Sequence, residues 1–121
     1  MPIKKILIVD DSATDRQFLI ETLSKRGYEC VTAQNGEEGI AKSRTEQPDL
    51  ILMDIIMPGI DGFKATRTIT HDEATKHIPV IVCTSKKLET DKVWGMRQGA
   101  KDYIVKPVDP KELLAKIAAL G

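Results

Sequence analysis

"ILIVDDSATDR", residues Ile6 to Arg16, drives four apolar residues into two adjacent aspartates and then turns polar. A short apolar run without alternation reads as a strand buried on both faces, and the polar residues after it read as a helix start. Asp10 and Asp11, side by side at the strand's end, set like charges against each other. A helix cap accounts for one of them, because a carboxylate there accepts orphan backbone N–H groups and suits the positive end of the helix dipole. The second needs partners from elsewhere in the chain.

The same pattern recurs outward from this stretch. Strands are expected at "KILIV", "ECVTA", "LILM", "PVIVC" and "DYIVK", with helices near 13–26, 36–46, 62–70, 88–98 and 110–120. Gly27 suits the end of the first helix, and "QNGEEG" around Asn35 and Gly36 reads as a turn into the second. Asp109, Pro110 and Glu112 make the strongest cap: an acceptor, a proline at the first helical position and an acid three residues after the cap. Repeated strand and helix of this size call for a parallel sheet covered on both faces, with right-handed crossovers. No internal linker divides residues 1–121, so one domain is expected.

Composition narrows the function. Eighteen Lys/Arg balance eighteen Asp/Glu, and no dense basic run appears, which argues against nucleic acid as a partner. No apolar stretch approaches the roughly 20 residues a membrane span requires. Cys30 and Cys83 lie in apolar segments with nothing resembling a signal peptide before them, so both are expected as reduced core thiols of a cytoplasmic protein.

In parallel α/β sheets chemistry collects beyond the carboxyl ends of the strands. Those ends deliver, in order, Asp10 and Asp11, then Asn35 and Gly36, Asp54, Thr84 and Ser85, and Lys106. If the first and third strands are neighbours, three carboxylates share one pocket. Two readings stand: solvated acids and caps, or the ligands of a hard cation, for which Mg2+ fits best because it prefers oxygen donors and commonly shares them with phosphate. Cation, carboxylate and lysine together suit phosphoryl transfer, with Asp54 as nucleophile, Lys106 as a point charge and Thr84 as a hydroxyl donor.

"ILIVDDS", "LILMDIIMPGIDG", "VIVCTS" and "DYIVKP" together resemble the receiver domain of two-component response regulators, from about Lys4 to Leu120. The resemblance implies a doubly wound, flavodoxin-like five-stranded parallel sheet of order 2-1-3-4-5. It makes Asp54 the phosphoacceptor, Asp10 and Asp11 the acidic metal pair, Thr84 and Tyr103 the switch residues and Lys106 the phosphate partner. Ile56 would lend a backbone carbonyl to Mg2+, and the Lys106–Pro107 bond would be cis. The partners implied are a sensor histidine kinase and a downstream protein. No separate substrate is turned over, and a monomer or weak dimer is expected.

With nothing after Gly121, the chain is expected to act as a stand-alone regulator of the chemotaxis type. Glu89 to Asp109 resembles more narrowly the single-domain regulators of type IV pilus twitching motility and of cyanobacterial phototaxis. Ile56 and Lys86 replace the asparagine and glutamate of flagellar regulators, which argues against a flagellar motor as target. The output surface is expected on the 88–98 segment, the last strand and the last helix, near Lys86, Trp94 and Tyr103. Val93, Met96 and Ala100 are expected as a buried stripe with Trp94 at its edge, either half-buried or facing a partner. Two alternatives stay open: a phosphate sink for a second regulator, and a phosphate-independent adaptor. A phosphohydrolase is disfavoured because Ile56 stands where a general acid would be needed, and a flavin binder because "DDSAT" puts two negative charges where a phosphate would sit.

Overall fold

All five apolar runs form strands in a computed structural model that describes residues 2–85, 93 and 96–121: β1 (Lys5–Val9), β2 (Glu29–Ala33), β3 (Leu50–Asp54), β4 (Val80–Thr84) and β5 (Asp102–Val105). They pair in parallel in the order β2-β1-β3-β4-β5. The described helices are α1 (Ala13–Ser24), α2 (Gly36–Glu46), α3 (Gly62–His71) and α4 (Pro110–Leu120).

The pleat sends successive side chains to opposite helical layers, which is why the central strands carry no polar alternation. Leu7, Val9, Ile51, Met53, Val80 and Val82 pack with Ala65 and Ile69 of α3. Ile6, Ile8, Leu50, Leu52, Ile81 and Ile104 pack on the other face with Leu19 and Leu23 of α1 and Leu113 and Ile117 of α4. Cys83 is buried in that second layer, whereas Cys30, expected in the core, is only half-buried because β2 is an edge strand.

Caps fix where the helices begin. Ser12 caps α1, its Oγ accepting the Asp15 N–H at 3.2 Å, so neither aspartate of the opening pair serves that purpose. Asn35 caps α2, accepting the Glu38 N–H at 2.8 Å, while Glu38 Oε1 accepts the Gln34 N–H at 2.6 Å. Asp109 caps α4 with Pro110 in its first turn, as the sequence indicates. Helix α1 stops at Ser24, two residues short of expectation, and Gly27 turns the chain at φ +88°.

The helix expected at 88–98 lies largely outside the described residues, as do Lys86 and Trp94, although Val93, Met96 and Arg97 are helical. Of the stripe expected there, Ala100 is buried, but Val93 and Met96 are 45% and 43% exposed. Helical spacing identifies residues that share a face without saying whether another element covers it.

Both sheet edges carry lysines. Along β2, the Glu29 N–H and the Ala33 carbonyl face β1, so Thr32, one residue out of phase, directs its carbonyl to the open side. Lys42 Nζ of α2 donates to that carbonyl at 2.5 Å. At the other edge Lys116 Nζ pairs with Asp102 at 2.9 Å and lies 5.3 Å from the centre of the Tyr103 ring.

Candidate functional site

Adjacency of β1 and β3 decides the site. The register pairs Val9 with Met53, so Asp10 and Asp54 emerge next to each other at the carboxyl end of the sheet. Carboxylate oxygens of Asp10, Asp11 and Asp54 all lie within 4.8 Å of one another. Asp10 is 2% and Asp54 7% exposed, so their charges have little water to screen them, while Asp11 is exposed. Asp10 is also held from its own chain: its Oδ1 accepts the Ser12 N–H at 2.9 Å, and its carbonyl accepts Arg16 Nη1–H at 2.6 Å.

Lys106 reaches the cluster from the end of β5. Its N–H donates to the Thr84 carbonyl at 2.7 Å, extending the ladder by one residue beyond Val105. By pleat parity its side chain falls on the face of Ile104, the face that also bears Asp10 and Asp54. Nζ lies 2.8 Å from Asp10 Oδ2, 2.9 Å from Asp15 Oδ2 and 3.4 Å from Asp54 Oδ1. The Lys106–Pro107 bond beyond it is cis.

Burial, and after it the charge of Asp10, pushes the Asp54 carboxyl up to about 6, with Lys106 pulling the other way. Burial alone would lower the Lys106 ammonium, but its hydrogen bonds to Asp10 and Asp15 and the Asp54 charge raise it above its ordinary value. Cys83, paired in register with Asp54, is pushed up to about 12 by burial and is therefore an inert thiol.

Asp54 also has its backbone tightly covered. A Cβ on Gly62 would lie 2.0 Å from the Asp54 carbonyl oxygen, so only glycine lets α3 start there, and the Gly62 N–H bonds the Ile55 carbonyl at 2.9 Å. The loop between is strapped to α2, with Glu37 Oε1 accepting the Ile60 N–H at 3.2 Å. Within it Met57 is buried against the core, and Ile56 is 56% exposed.

Thr84 is buried, and Tyr103 packs against the α3-side core. Tyr103 pairs with Val82 and Thr84 with Val105, so the two residues are diagonal neighbours on one face of the sheet. Asp15 is the participant that sequence reading missed. An acid in a first helical turn passes for a dipole partner, and only the approach of β5 to α1 reveals its lysine.

Five parallel strands in this order, with an acidic pocket and a lysine at their carboxyl ends, define the class. The chain belongs to the response regulator receiver domain family, whose family description matches residues 6–118. It is 54% identical to PilH of Pseudomonas aeruginosa over 96% of both chains. Other relatives are longer, and the chain spans about half of several transcriptional regulators that it matches. Among solved structures, the chemotaxis response regulator CheY4 of Vibrio cholerae superposes with a TM-score of 0.91 at 33% identity, covering 98% of this chain and 99% of that one. The receiver domain of the sensor histidine kinase PA1611 of Pseudomonas aeruginosa, which holds a magnesium ion in its active-site cleft, gives 0.89 at 28% identity over 97% and 96%.

Proposed function

We propose that the chain accepts one phosphoryl group on Asp54 from a sensor histidine kinase in a Mg2+-dependent reaction, and signals by binding another protein differently once phosphorylated. The observation that carries this reading is the buried Asp54 carboxylate, gathered with two others within 4.8 Å and 3.4 Å from the Lys106 ammonium. Three hard oxygen donors so close together fit Mg2+, with Asp10, Asp11 and Asp54 and the Ile56 carbonyl as its protein ligands. When bound, the ion would neutralise charge on the phosphoryl oxygens.

An Asp54 oxygen forms the new bond to phosphorus as the donor's P–N bond breaks. The imidazole leaves with that electron pair and takes up a proton, and an acyl phosphate remains on the chain. Lys106 supplies positive charge to the phosphoryl oxygens and Thr84 a hydroxyl donor. A turn of Thr84 towards the phosphate, with Tyr103 moving into the space released, would shift the balance between two packings and alter the surface around β5 and α4. The chain acts on itself, so it is a phosphoacceptor rather than an enzyme with a separate substrate.

Twitching motility or phototaxis as the pathway rests on the character of Glu89 to Asp109 and accords with the PilH identity. A cytoplasmic setting accords with the absence, among the described residues, of any helix long and apolar enough to cross a membrane. Intact-mass analysis after incubation with a small acyl phosphate tests the central step. One added phosphoryl group is expected, lost in Asp54→Asn and suppressed by a chelator, whereas unchanged labelling of Asp54→Asn refutes the reading.

A further inference from the structure

Lys106 holds three carboxylates, and it does not hold them equally. Its distances to Asp10 and Asp15, 2.8 and 2.9 Å, are those of charge-assisted hydrogen bonds, whereas 3.4 Å to Asp54 is longer than such a bond. Asp10 belongs to the gathered acidic cluster. Asp15 does not: it stands on the first turn of α1 with its side chain 46% exposed. Its carboxylate is not what begins the helix either, since the cap is formed by Ser12 Oγ and the Asp15 backbone N–H. The ammonium is thus drawn towards α1 by a group outside the cluster.

We infer that Asp15 is a positioning residue that competes with the phosphoryl group on Asp54 for Lys106. This rests on the phosphoacceptor reading above. An ammonium has three donors, and two of them are committed to Asp10 and Asp15. A phosphoryl oxygen on Asp54 would be a third acceptor for an ammonium already bonded to two carboxylates, and a shift of Nζ towards it would draw Nζ off the more exposed of those partners, Asp15. Asp10, buried and fixed by Ser12, still anchors the lysine when Asp15 is removed. Asp15 therefore weakens retention of the phosphoryl group without touching it. The pair lines a cleft of about 290 Å³ between α1 and the Pro107–Val108 segment, so the half of the latch that must let go is open to solvent.

Beryllofluoride with Mg2+, a non-reactive stand-in for the phosphoryl group, provides the test. Half-saturation is read from a ligand-dependent shift in thermal unfolding, and the Lys106 ammonium is followed by 15N NMR. In Asp15→Asn, half-saturation is expected at a roughly three- to fivefold lower beryllofluoride concentration, the scale of one half-exposed ion pair. Asp15→Glu, which keeps a carboxylate within reach of the lysine, should stay within about twofold of wild type. The Nζ resonance should differ between wild type and Asp15→Asn in the ligand-free proteins and coincide in the ligand-bound ones. An unchanged half-saturation in Asp15→Asn overturns the inference. So does a resonance difference of equal size in both states, which marks a general field and not a released contact. Wild type that binds no beryllofluoride brings down the phosphoacceptor reading and this inference with it.

Discussion

At the scale of single residues, the proposed phosphoryl chemistry turns on how water would reach a phosphoryl group on Asp54. Ile56 lies two residues beyond Asp54 and is 56% exposed, and its side chain has no group with which to orient a water. Lys86 stands two residues after Thr84, and its position lies outside the described residues. The phosphorylated wild type is expected to decay severalfold more slowly than a variant combining Ile56→Asn with Lys86→Glu. Decay of the intact mass over time checks this, and equal or faster loss from wild type would sink it. Asp10, Asp11, Asp54 and Lys106 were legible as a constellation because each ends a strand of one parallel sheet, where topology alone gathers them. Asp15 was not legible in that way. Its role depends on how closely the α1 turn approaches the residue after β5, a distance that no local pattern encodes.

Secondary elements were the most legible part of the chain, because strands buried on both faces have to be continuous apolar runs. What the sequence reading misjudged was coverage. Val93 and Met96 share a helical face that stays exposed, and Cys30 is only half-buried since β2 has one neighbour rather than two. The same distinction between core and boundary grades the cost of substitutions. Leu113→Ala empties a fully buried position between α4 and the sheet and is expected to cost about 2–5 kcal/mol. Asn35→Ala removes only the cap of α2 and is expected to cost about 1 kcal/mol. Urea denaturation of the two variants measures both, and a larger loss from Asn35→Ala would contradict the assignment of core and cap.

For the molecule as a whole, the acidic pocket is a store of unfavourable energy until its charge is matched. Asp54 holds its proton up to about pH 6 in the folded chain, against 3.8 ordinarily. Between these values the native state binds a proton that the unfolded state has lost, so this group stabilises the fold as pH falls through 6 and adds nothing further below about 4. Above 6 the ionised carboxylate carries its full penalty. In the presence of a chelator, Asp54→Asn should therefore exceed wild type by on the order of 2 kcal/mol at pH 7.5, with the difference fading as the pH approaches 4. A less stable Asn variant at pH 7.5 would show that the pocket is not strained. Asp49 works in the opposite sense. Hydrogen bonds from the Lys5 and Lys4 N–H groups, each 2.9 Å long, lower its carboxyl, so its contribution is present at neutral pH and is lost only as pH falls below the ordinary carboxylate range. The lysine over the outward Thr32 carbonyl bears on something other than signalling, namely how these molecules behave when crowded together. An open strand edge is a template for a neighbouring chain, and a charged side chain seated on its acceptor turns away any incoming backbone. Lys42→Ala would leave that acceptor bare, so concentrated samples of the variant should form β-rich aggregates on mild heating sooner than wild type, visible by light scattering and a strand-rich infrared signal. Indistinguishable aggregation times would mean that the edge is guarded by something else.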